Sequence, residues 1–261
     1  MQVVTNVKDI IRSNLSQNSA LNGISCAGME EADGRLFLHV QDMVQHGAKC
    51  VLIRCSDTDI VVIAISYYHH LHKLGLKELW VQYSVGTSKR FISAHSIAQK
   101  LGDDRACALR GFHAFTGCDS VSFFNGKGKA SAWTAWDPTD EQMTRAFKIL
   151  GMPSKDPPDH ILPVLERFVV ALYKAEPCQS VGEARQQLFT AEGKPLLFIP
   201  CTFGALKQHT RRASYQGGQI WGSWNVGMMF RRRLVGGGRW RMASGSLIGQ
   251  QSPTSGKHAG T

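Results

Sequence analysis

Apolar residues along this chain fall into two rhythms, and their alternation predicts most of the fold. Over Glu30–His46, Ala32, Leu36, Val40, Met43 and Val44 recur at three- and four-residue steps and form one helical stripe. Acidic residues in its first turn suit the helix dipole. The short β-branched run KCVLIRC, Lys49–Cys55, then predicts a strand, and SDTD leads from it into an apolar helix over Ile60–Leu74. Ser56 or Asp57 can cap that helix and Gly75 can stop it. KELWVQYS predicts a second strand, while SAHSIAQKLG and RACALRGFHAFTG predict short helices, each closed by glycine.

Helix, strand, helix, strand in that order predicts an α/β fold with a parallel sheet, whose strands all end at one crevice. Beyond Gly117 the rhythm is helical, with helices expected over Lys129–Trp136, Asp140–Leu150, Ile161–Lys174, Val181–Phe189 and Phe203–Trp221. Residues 1–28 have weak periodicity and end in turn-forming residues, so little structure is expected there. From residue 222 the RRR, GGG and Ser-rich pieces keep no period and predict an unstructured tail.

Hydrophobic content of 43% over 261 residues is ample for a core. No apolar run approaches the roughly 18 residues that a membrane helix needs. The charges scattered through MQVVTNVKDIIRSNLSQ leave no apolar stretch for a secretory leader, and an intracellular protein is expected. Seven widely spaced cysteines without a C-x-x-C pair predict reduced thiols. The net charge of +10 is unevenly placed: nine of the 30 basic residues and none of the 20 acidic ones lie from residue 201 onward, leaving 21 against 20 before it. A basic end of this kind either binds phosphate backbones or is simply a solvated extension.

Against the nearly neutral body, three acidic groups stand out. Glu30, Glu31 and Asp33 begin the first helix, Asp57 and Asp59 follow the first strand, and Asp119 follows FTGC at a helix end. Alone, each is an ordinary helix turn, cap or loop. Three segments converging on one crevice would crowd like charges that repel unless a cation offsets them. Carboxylates suit Mg²⁺ or Mn²⁺ far better than zinc, and two such ions about 4 Å apart would serve phosphodiester hydrolysis.

In the order EEADGRLFLH, IRCSDTDIVVIA and GFHAFTGCDSVSFFNGKGKASAW, these blocks resemble flap-endonuclease-like PIN-domain nucleases, and above all the nuclease-like reading frames of transposon-rich animal genomes. SVGEARQQLF and ALKQHTRRASYQGGQIW resemble the helical part of those frames, so the likeness spans roughly residues 25–221. It implies a three-layer PIN-like domain over 29–136 and a helical region over 137–221; the disordered basic tail over 222–261 is read from composition alone. It also implies a metal site formed by Glu31, Asp33, Asp57, Asp59 and Asp119, structured or branched DNA as substrate, and a nuclear location. The turn Gly126, Lys127, Gly128 and Lys129 would grip duplex backbone within a helix-turn-helix element, since glycines let phosphate approach backbone amides and lysines add charge. A plain loop is the other reading of that turn. In the family another metal-binding aspartate ends a strand well ahead of the acidic helix, by more chain than is present here. The resemblance therefore implies a fragment whose site is incomplete at the N-terminus. After Trp221 the likeness stops.

Two other readings of the acids stay open: a catalytically dead relative that binds nucleic acid or protein, and a receiver-like domain whose aspartates accept phosphate. His69, His70 and His72 should point different ways around one helix. His113 with Cys118 would be a nucleophilic pair only with a third group to orient the histidine, and none is readable. Trp133 and Trp136 are expected to pack between helices, with base stacking the lesser use.

Overall fold

The computed structural model describes residues 4–7, 10–13, 32–85, 87–154, 156–190, 193–222, 240–243 and 246–249. The chain divides into two units, Met1–Trp224 and Asn225–Thr261. In the first unit, strand β1 (Val4–Val7) pairs antiparallel with β2 (Ile10–Ser13). There follow α1 (Ala32–Gln45), β3 (Cys50–Cys55), α2 (Thr58–Lys73), β4 (Glu78–Val85), β5 (Ser88–Ser93), α3 (Ala94–Leu101) and α4 (Asp103–Phe115). The helical part comprises α5 (Lys129–Ala135), α6 (Glu141–Leu150), α7 (Leu162–Tyr173), α8 (Val181–Thr190) and α9 (Phe203–Ser214), the last running on into a π-helical turn, Tyr215–Ile220. Every helix and both strands expected from the apolar rhythm over 32–221 are present.

One expectation about the sheet is corrected. It is mixed rather than parallel: β3 runs parallel to β4, with Cys50 opposite Glu78, and β5 runs antiparallel to β4, with Trp80 opposite Ser93. Only two residues separate β4 from β5, too few for the crossover that parallel pairing requires. The sequence of β5, SKRFIS, lacks apolar alternation because the strand lies at an edge and is mostly exposed. Lys89 and Arg90 on that edge discourage pairing with another chain.

Val51 and Ile53 of β3 and Leu79 and Val81 of β4 are buried, and α2 and α3 pack against β4. The opposite face of β3 is open: Leu52 is 49% exposed, and Arg54 Nε donates to Gln82 Oε1 across the strands at 2.9 Å. The residues of β3 on that face, Cys50, Leu52 and Arg54, are thus exposed.

Helix α4 is the centre of the unit. It packs on α2 and α3 on the sheet side and on α6 and α9 on the helical side. Phe112 and Phe115 join Trp136, Phe147 and Phe168 in an aromatic cluster, with Phe112 stacked on Trp136 at 4.8 Å and Phe147 edge-on to Phe168 at 5.1 Å. The approach of α4 to α6 is close enough that a Cβ at Gly111 would stand 2.0 Å from the backbone oxygen of Phe147. Gly218 does the same for the π-helical turn, where a Cβ would meet Met152 O at 2.2 Å. The two parts therefore share one hydrophobic core.

In the second unit, β6 (Trp240–Ala243) pairs antiparallel with β7 (Ser246–Gly249). The tail expected to be unstructured thus contains a hairpin. Trp240 and Met242 alternate with arginines there, a period-two signal that the surrounding Gly and Ser obscure; the other residues from 223 onward lie outside the described ones. No helix among the described residues is long and apolar enough to cross a membrane.

Candidate functional site

The crevice forms where β3 ends. Cys55 is the last strand residue, and Asp57 stands at the N-cap of α2 in extended backbone, its Oδ1 accepting the Asp59 N–H at 2.8 Å. That bond satisfies one of the helix's open donors. Asp33 lies in the first turn of α1. The Cys55 thiol has its pKa raised by burial first; its hydrogen bond to Asp57 O opposes this, and the charges of Asp57 and Asp33 add to the rise.

Asp59 turns the other way. Its Oδ1 accepts from His113 Nε2 at 2.8 Å, with side chains only 15% and 13% exposed. An ionised carboxylate only accepts, so the imidazole proton sits on Nε2. His113 comes from the last turn of α4, 54 residues away. This is the orienting partner for His113 that the sequence withholds.

Helix α4 ends where its unsatisfied carbonyls need partners. Gly117 takes a φ of +101, and any Cβ there would strike Phe123 at 2.6 Å. Lys129 supplies the partners: its Nζ donates to His113 O at 2.6 Å, to Thr116 Oγ1 at 2.8 Å and to Gly117 O. His209 Nε2 donates to Phe115 O at 2.7 Å, and its Nδ1 meets Ser122 Oγ at 3.1 Å. Burial keeps this histidine below its ordinary pKa.

Lys129 is exposed as a residue, while its ammonium is held by these oxygens in part-buried bonds. Burial lowers its pKa to about 8, against smaller upward pulls from Cys118 and Asp59. Between about 8 and the ordinary 10.5 the unfolded chain therefore binds the extra proton, and the contribution of Lys129 to stability rises with pH across that window. In urea titrations of wild type and Lys129→Met, the stability difference is expected to shift towards the wild type between about pH 7.5 and about pH 10. A difference that moves towards the variant would contradict the burial of this ammonium.

The predicted site residues are thus distributed unevenly. Asp57 and Asp59 follow the carboxyl end of β3, Asp33 lies in the first turn of α1, and Asp119 is exposed in the turn between the bridged pair Cys118 and Val121. Glu31 and Glu30 lie outside the described residues. Among the described residues, no three His, Cys, Asp or Glu side chains are grouped to hold an ion.

In the Gly126–Lys129 turn, Gly126 takes a φ of +69, Lys127 lies over the Tyr173 ring at 4.8 Å and Gly128 precedes α5. Lys129 is turned inward, as described. His69, His70 and His72 engage Ala98 O, the Tyr67 ring and Leu76 O respectively, and so do not converge. Trp136 is buried, and the Arg105 guanidinium lies 4.5 Å from its ring centroid and 4.8 Å from that of Trp133. Cys50, Cys55, Cys107, Cys118, Cys178 and Cys201 are free thiols.

Comparison with family models, with curated proteins and with solved structures finds no match to this chain. The reading of its function rests on the crevice and on the sequence blocks that form it.

Proposed function

We propose that this chain is a PIN-like, nuclease-related protein that binds nucleic acid, structured or branched DNA above all, and that hydrolyses it inefficiently while Asp59 stays paired with His113. The observation that carries the reading is that pairing at 2.8 Å. A carboxylate held by an imidazole on one side and neighboured by the Lys129 ammonium already has its counter-charge inside the protein, which removes the main reason for a cation to bind there. By donor chemistry Asp33, Asp57 and Asp59 suit Mg²⁺ or Mn²⁺. By arrangement they do not: Asp59 faces His113, Asp57 Oδ1 caps α2, and no three donors are grouped among the described residues. No hydrolytic step is assigned to them.

The reading as a metal-dependent nuclease has its own support, since the charges of Asp33 and Asp57 meet at Cys55 and a divalent ion would relieve that crowding. Both readings share the substrate. DNA contact is assigned to Lys127 in its turn and to the basic residues from 201 onward, which offer charge without groups shaped to read bases. A DNA partner in turn implies a nuclear location.

Anisotropy with a labelled flap and a matching duplex tests this directly. Affinity is expected to fall at least tenfold when salt rises from about 50 to about 200 mM, and to depend little on sequence. With millimolar Mn²⁺ the flap should remain essentially uncut. Binding insensitive to salt would remove the nucleic-acid reading, and rapid cleavage that Asp57→Asn abolishes would establish the metal-dependent enzyme instead.

A further inference from the structure

Apart from the acids of the crevice, one serine and one histidine stand in direct contact. His209 of α9 is 5% exposed, with the ring of Phe115 at 5.1 Å and that of Phe124 at 5.0 Å. Its Nε2 lies 2.7 Å from Phe115 O. A carbonyl oxygen only accepts, so the imidazole proton sits on Nε2, and in the neutral ring Nδ1 is a bare acceptor. The group that meets Nδ1, at 3.1 Å, is Ser122 Oγ, which therefore donates. Burial lowers the pKa of the ring; the bond to Phe115 O opposes this, and the charge of Arg212 adds to it. The neutral ring is thus the form present near pH 7.

Ser122 is exposed, yet it is anchored on both sides. Val121 before it is buried and bridged to Cys118, and Phe124 after it is buried against His209. A histidine buried for packing alone needs only some inward polar group for its second nitrogen. Here that nitrogen is met by a hydroxyl that also faces solvent. A hydroxyl donating to a base whose other nitrogen is held by a third group is the arrangement that activates a serine as a nucleophile. Among the described residues, the backbone N–H groups of Ser122 and Phe123 donate to no protein oxygen, and the N–H that follows a nucleophilic serine is a usual donor to the oxyanion. The neighbours choose the substrate. The aromatic rings around His209, and Phe123 at 71% exposed beside Ser122, suit an uncharged carbonyl with an apolar acyl chain better than an anionic phosphate.

We propose that Ser122 and His209 form a nucleophilic dyad that hydrolyses uncharged carboxylic esters, with Phe115 O holding the imidazole in place. Ser122 Oγ bonds to the carbonyl carbon while its proton passes to His209 Nδ1. When the tetrahedral centre collapses, the ester C–O bond breaks and the alcohol leaves with that proton. Water then attacks the acyl group and gives a proton to Nδ1, which returns it to Ser122 Oγ as the carboxylic acid departs. This activity stands apart from the nucleic-acid reading and uses none of its residues.

The test uses the full chain with p-nitrophenyl butyrate, in the absence of metal and nucleic acid. Hydrolysis is expected to slow by at least about a hundredfold in Ser122→Ala, the size of a general-base contribution. An uncharged alkyl fluorophosphonate, which replaces its fluoride with the serine oxygen, should leave a stable label that peptide mapping places on Ser122 and that Ser122→Ala lacks. Because Ser122 is exposed, this variant should melt with the wild type, and its result decides the proposal by itself. His209→Gln, which keeps a polar group but no base, should slow hydrolysis by a similar factor wherever its melting curve shows it folded. Hydrolysis no faster than in buffer, hydrolysis that Ser122→Ala leaves unchanged, or a label absent from Ser122 overturns the proposal. Each of these results leaves the DNA anisotropy and cleavage assays to be decided on their own.

Discussion

Gly111→Ala should destabilise the protein by about 3 kcal/mol, although alanine is the better helix former. Helix propensity alone would favour the substitution by about 1 kcal/mol. The opposing term is larger because the new Cβ would lie 2.0 Å from Phe147 O and 2.9 Å from both Gly151 N and Leu150 Cβ. Two of these three atoms belong to backbone, so no rotamer change relieves the contact, and α4 must part from α6. Separation of the helices would loosen the cluster of Phe112, Phe115, Trp136 and Phe147. Urea denaturation measures the change; a stability within about 1 kcal/mol of wild type would mean that the helices are farther apart than described.

The second large effect concerns the crevice. Asp59→Ala and His113→Ala are each expected to destabilise by about 2 kcal/mol, below the usual cost of breaking a fully buried pair because both side chains retain some exposure. Their effects should not add, since once one partner is gone the other has no bond left to lose. His113→Ala also frees Asp59 as a donor. Millimolar Mn²⁺ should therefore raise the melting temperature of His113→Ala more than that of wild type, and the gain should vanish when Asp59→Asn is added. Additive destabilisation would show the pair to be uncoupled, and an equal response to Mn²⁺ in wild type and His113→Ala would show that the histidine does not compete with the ion.

The sequence reveals those features whose causes are local. Helices such as α1 and α2 carry their apolar stripe within a few turns, and Asp57 caps α2 with a side chain only two residues from the N–H it binds. Strands β3 and β4 are legible because apolar residues, Val51, Ile53, Leu79 and Val81, fill their buried face. β5 is not, since an exposed edge strand has no buried face to mark. The same limit applies to the site. His113 meets Asp59 only because α2 and α4 pack side by side, and no spacing along 54 residues encodes that contact. Lys129 reads as a surface lysine in a Gly-Lys turn, and its inward course depends on where α4 happens to end. His209 had no sequence signal at all, because its two partners come from a helix terminus and a loop almost 90 or more residues earlier.

Helix α4 has a consequence for how such a chain can be divided or inherited. It offers one side to α2 and α3 and another to α6 and α9, so it belongs to the α/β part and to the helical part equally. A break after Trp136 would strip the second side and leave Phe112 and Phe115 without Phe147 and Phe168. The crevice hangs from the same helix, because His113, Thr116 and Gly117 are held at its end. Modular exchange at the apparent boundary, by recombination or by design, is therefore closed to this fold: a donor would have to pass on the sheet, α4 and the helices behind it as a single heritable block.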